Sequence, residues 1–193
     1  LSLINDAFQN CYLNNPETNS YFENLINLND GDYSRYLFFY LSNLIENQKF
    51  QYAVQLSDEV SYLNSSLLLS QSKQWINNRE FHRFEQHFSC SNETDIVAEF
   101  FFVISNLYSS EEMIDKSNFY FNISNYLNPK FKFNLSLVAE NYYLNREYIK
   151  VKKILKNFNK DDDAFYWFRI KKEAQILLEE KNYENGLKYI DSK

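Results

Sequence analysis

Residues 96–129, IVAEFFFVISNLYSSEEMIDKSNFYFNISNYLNP, hold two apolar stretches of helical period with Glu111-Glu112 between them and Asn128-Pro129 at the end. Phe101, Ile104, Ser105 and Tyr108 share one face of the first stretch, and Ile114, Ser117, Phe121 and Ser124 share one face of the second. Outward from here the arrangement recurs. A large apolar residue opens a second helix and a small or apolar residue follows three positions later. The pairs are Phe50/Ala53, Phe81/Phe84, Ile114/Ser117, Tyr148/Val151 and Tyr183/Gly186, at steps of 31, 33, 34 and 35 residues. A unit of two short helices cannot bury its apolar face alone, so it stacks on its neighbours.

Six helical hairpins follow from this period. The first is read over 2–13 and 17–28, with Asn14-Asn15-Pro16 at its turn, because proline is tolerated in the first turn of a helix. The second is read over 32–46 and 50–63, opened by Asn29-Asp30-Gly31-Asp32. The third covers 65–77 and 80–88, and the fourth 94–108 and 111–127, with Ser110 as the expected N-cap of its second helix. The fifth covers 131–144 and 148–158, and the sixth 164–180 and 183 onward. Residues 88–92 read as the weakest stretch. No linker or composition break divides the chain, so 1–193 reads as a single helical-repeat domain. It begins without an initiator Met and stops soon after a helix starts, so a fragment of a longer protein is expected.

Composition narrows the function. With only 2 Gly and 2 Pro in 193 residues, an all-α chain with short turns is favoured over loop-rich folds. A net charge of −6 argues against phosphate-backbone binding, which depends on Lys and Arg, so no nucleic-acid partner is expected. No apolar run is long enough to span a bilayer. Cys11 and Cys90 are read as two small buried hydrophobes, with no disulfide framework implied. The isolated Gly31 and Gly186 cannot form a phosphate-cradling loop, and no nucleophile elbow or paired-histidine helix is present. Neither an enzyme nor a cofactor is expected.

The fourth and fifth units resemble the tetratricopeptide repeat, whose period is about 34 residues. In the fourth, Phe101, Ile104, Ser105 and Tyr108 are followed by Ile114, Ser117, Phe121, Ser124 and Pro129. In the fifth, Leu135, Val138, Ala139 and Tyr142 are followed by Tyr148, Val151, Leu155 and Phe158. Ser105, Ala139 and Ala174 fall where the two helices of a unit cross closely, while Leu41 and Phe84 depart from that pattern. From about Ile96 onward the chain is also similar to the C-terminal repeats of a large bacterial tetratricopeptide protein. The resemblance implies an all-α, right-handed superhelical solenoid of about six hairpins, the first ones irregular and the last truncated. It further implies a scaffold without catalysis and leans towards the bacterial cell envelope.

In this family the first helices line a concave groove. The resemblance points Phe38, Ile45, Leu69, Lys73, Ile76, Glu99, Phe102, Asn106, Phe133, Glu140, Tyr143, Phe168 and Lys171 into it. Such an apolar, aromatic groove suits a protein or peptide partner, with Lys73, Glu99, Glu140 and Lys171 selecting register. The alternative is a structural segment that packs against its own chain or self-associates. His82 and His87 are five residues apart and do not share a helix face, so they read as surface histidines with no metal. Arg146, Lys150, Lys152, Lys153, Lys156 and Lys160 read as a solvated basic stripe.

Overall fold

In the computed structural model the described residues are 2–27, 34–59, 66–180 and 183–192. They form helices α1 (Ser2–Tyr12), α2 (Thr18–Ile26), α3 (Ser34–Glu46), α4 (Phe50–Glu59), α5 (Leu67–Asn77) and α6 (His82–His87). The second half follows with α7 (Glu93–Ser110), α8 (Ile114–Leu127), α9 (Leu135–Leu144), α10 (Tyr148–Leu155), α11 (Ala164–Glu179) and α12 (Tyr183–Asp191). Short 3-10 turns at Lys132–Asn134 and Lys160–Asp162 lead into α9 and α11. No strand occurs among the described residues. The opening expected at 29–32 and the helix end at 63 lie outside them.

The repeat is written in the backbone of the turns. Asn14, Gln48, Arg79, Glu112 and Arg146 each have positive φ, between 49° and 59°, at steps of 34, 31, 33 and 34 residues. At every one the following amide closes a six-residue ring: Asn15 to Asn10, Lys49 to Leu44, Glu80 to Trp75, Met113 to Tyr108 and Glu147 to Tyr142. The residue itself bonds three back in all five, as Glu112 does to Ser109. This is a Schellman C-cap, repeated without a single glycine. It also corrects the cap expected at Ser110, which is instead the last residue of α7, its hydroxyl donating to Leu107 O at 2.8 Å.

Within each hairpin the close crossing is filled by small or fully enclosed side chains. Seven residues before each turn stand Ala7, Leu41, Ser72, Ser105 and Ala139, all 0% exposed. Ala174 on α11 is buried as well, and a Cβ added at Gly186 of α12 would stand 3.2 Å from Leu178 Cδ2. Ser105 Oγ donates to Ser117 O at 2.8 Å, so the α7–α8 crossing carries a hydroxyl that satisfies a carbonyl there. The second members of the repeated pairs, Ala53, Phe84, Ser117 and Val151, are likewise 0% exposed.

The helices of the described residues do not line up as one open row. α1 packs on α7 and α5 packs on α11, so the first three hairpins meet the last three through their first helices. Rings bridge this junction: Phe8 to Phe100 at 6.0 Å, Phe38 to Phe131 at 5.5 Å and Trp75 to Phe133 at 5.7 Å. One apolar cluster consequently runs from Ile4 to Ile176.

The stretch 88–92, which reads as weak in sequence, is pinned from three sides. Glu46 at the end of α3 accepts from Ser89 Oγ at 2.7 Å, Cys90 N at 3.1 Å and Ser91 Oγ at 2.7 Å. Asp95 accepts from Ser89 N at 3.1 Å. Cys90 itself is disulfide-bonded to Cys11 across 79 residues. The reading of both cysteines as simple buried hydrophobes is corrected here. They are buried, but as a covalent link between the first hairpin and the connection between halves. Spacing alone carried no sign of it, because the link depends on hairpin one meeting the start of hairpin four.

Candidate binding surface

Eight of the thirteen residues expected to face an open groove are buried. They are Phe38, Ile45, Leu69, Lys73, Ile76, Glu99, Phe102 and Phe133, of which Phe38, Glu99, Phe102 and Phe133 make contacts across the junction between the halves. All but Phe133, which sits in the 3-10 turn before α9, belong to first helices, yet what they meet is the chain itself. Apolar first-helix faces on both halves remove more surface from water by closing on each other than by facing an empty groove.

Arg35 sits at the centre of that closure. Its Nε donates to Glu99 Oε1 at 2.7 Å and its Nη2 to Glu99 Oε2 at 2.6 Å and to Asn134 Oδ1 at 2.7 Å. The guanidinium lies 4.0 Å from the Phe102 ring centroid and also borders Phe39 and Phe131. One side chain of α3 thereby joins α7 and the turn before α9. Burial pushes the Glu99 carboxyl above its ordinary range, and Arg35 partly opposes that shift. Beside it on α7, burial also raises Asp95, against the hydrogen bond from Ser89 N.

His87 is not the surface histidine expected. Its ring stacks on Trp75 at 5.5 Å, meets Phe133 edge-on at 4.8 Å, and has Nδ1 3.0 Å from Lys130 O. Burial lowers its pKa, and the positive charges of Lys132 and Arg83 lower it further. His82 is exposed.

The remaining five residues keep contact with solvent on hairpins four to six. Asn106 on α7 and Lys171 on α11 are exposed; Glu140 and Tyr143 on α9 and Phe168 on α11 are half-buried. Glu140 accepts from Lys172 Nζ at 2.8 Å, and the same ammonium lies 4.2 Å from the Tyr143 ring. Glu140 is therefore paired within the chain by Lys172, a buried cation that the sequence reading overlooked. Its signal was the i, i+4 position from Phe168, masked by the neighbouring lysine. Leu178 and Trp167 add exposed apolar area on α11. Hairpins four to six thus keep aromatic, aliphatic and charged groups in contact with solvent.

Among the described residues, no three His, Cys, Asp or Glu side chains gather as metal ligands. No helix there is long and apolar enough to cross a membrane. No protein-family model, curated protein or solved structure matches the chain. The all-α architecture therefore stands on its own geometry.

Proposed function

We propose that the chain is a non-catalytic, protein-binding module built from tetratricopeptide-like hairpins, stacked as a solenoid that has folded upon itself. The five glycine-free turns at a spacing of 31 to 34 residues support the repeat assignment. The observation that carries the binding role is the asymmetry of the first-helix faces. The first half's is consumed in the core, while Asn106, Tyr143, Phe168 and Lys171 keep an accessible strip on the second half. A rigid strip mixing aromatic and charged side chains grips a polypeptide by burying a few anchors inside a polar rim.

The test is capture from an extract of the source cell by the wild type and by an Asn106→Arg/Lys171→Glu variant, matched for helicity. Both sites are exposed, so folding should be retained. A partner captured by the wild type and lost by the variant supports the reading. An identical captured set, or none, overturns it. The second reading is structural: burial of Phe102 and Phe133 against the chain's own helices is what a segment with no external client shows. It gains if nothing is captured.

A further inference from the structure

A second surface, built on α10 and the turn that precedes it, has a different character. Six of the chain's 20 Lys and Arg fall between 146 and 160, in a protein of net charge −6. Two of them are matched, Lys150 by Glu147 and Lys152 by Glu180. Arg146, Lys153, Lys156 and Lys160 are exposed and make no side-chain ion pair or hydrogen bond with another described residue. Ile149 projects among them at 87% exposure, the most exposed large aliphatic side chain on the described surface. A solvated face needs charge, but charge alone gives no reason for a bare isoleucine at its centre.

Beside Ile149 is a crevice lined by Arg146, Glu147, Tyr148, Ile149, Lys150 and Glu180. It lies between the turn of hairpin five and the end of α11, so the stacking of successive hairpins creates it. We propose that this face docks an acidic protein segment carrying one apolar anchor residue. The anchor enters the crevice against Ile149 and Tyr148, and flanking carboxylates reach Arg146, Lys153 and Lys156. A discrete segment fits better than an anionic bilayer. The carboxylates of Glu147 and Glu180 stand in the same crevice and would oppose a continuous anionic sheet, while a peptide can place its anchor there and its charges elsewhere. A recess also offers a lipid surface nothing to fill it.

The test uses fluorescein-labelled twelve-residue peptides of Asp and Glu with a single Leu placed at three different positions, read by anisotropy. At least one should bind saturably, and its affinity should fall as salt rises. Lys153→Glu/Lys156→Glu should weaken binding about tenfold or more, since two attractive contacts become repulsive ones. Ile149→Ser should weaken it with little change in salt dependence. The Asn106→Arg/Lys171→Glu variant should bind these peptides as the wild type does, which separates this surface from the α9–α11 strip. Absence of saturable binding by all three peptides, or equal binding by the charge-reversed variant, overturns the proposal. Tighter sedimentation with phosphatidylglycerol vesicles than with the peptides would overturn it in favour of a lipid surface. A wild-type dimer dissociated by the charge reversal would overturn it in favour of a second copy.

Discussion

Arg35 and Glu99, 64 residues apart, form a two-pronged ion pair in which the glutamate side chain is almost wholly buried and the arginine side chain is 21% exposed. Their union brings the second hairpin against the fourth, which a nearest-neighbour stack would keep apart. Replacing one partner leaves an uncompensated charge. Arg35→Gln should destabilise the chain by about 3 kcal/mol, because breaking a buried pair costs more than the pair contributes net. Urea unfolding measures this, and the double variant Arg35→Gln/Glu99→Gln should recover part of the loss. Additive losses would show that the two do not meet in solution.

His87 predicts a pH dependence of definite sign. Its pKa is lower in the folded state than in the unfolded chain, so the neutral ring contributes stability above the ordinary value near 6.5. That contribution is lost as pH falls from there through the folded-state pKa. Glu99 and Asp95 act oppositely, their raised values favouring the fold as carboxyls protonate at lower pH. Subtracting the His87→Gln variant isolates the histidine term: wild type minus variant should shrink as pH drops from 8 to 5. A difference that stays constant would remove His87 from the junction.

The Cys11–Cys90 bond closes a loop of 79 residues, so Cys11→Ser/Cys90→Ser should lower stability by about 2–4 kcal/mol, chiefly by freeing the unfolded chain. Thermal unfolding with and without reductant should give the same ordering for the wild type and no effect of reductant on the variant. The bond also suits an oxidising compartment.

Glycine-free turns leave stability unclaimed. Gln48 and Glu112 hold φ of 58° at cost, and glycine adopts that conformation freely. Gln48→Gly or Glu112→Gly should each raise stability by up to about 1 kcal/mol, while Gln48→Val should lower it by at least as much. Asn14→Gly should change less, because asparagine already tolerates the left-handed region. Melting temperatures of the four variants decide it.

The hairpins were legible in the sequence because a period of about 34 residues and apolar stripes are local signals. Helix bounds at Ser2, Phe50, Ile114's neighbourhood and Ala164 came within a few residues of observation. The turn at Glu112 was harder, since a left-handed residue announces itself only when it is glycine or asparagine. What lay beyond reach was the meeting of the two halves. Phe38, Phe102 and Phe133 read equally well as groove or core, because a solvent-facing and a partner-facing apolar stripe have the same spacing. Arg35, Glu99 and the cysteines carry the closure, and each acquires meaning only from a residue far away in sequence.

Small-angle scattering tests the closure most directly. A compact chain of this length has a radius of gyration of about 16 Å. Six hairpins stacked in an open row, each adding about 10 Å, would give about 20 Å. The closed arrangement predicts the smaller value, unchanged on dilution and increased by Arg35→Gln/Cys11→Ser. A monomer at the larger value would contradict it and return Phe38, Phe102 and Phe133 to an open groove.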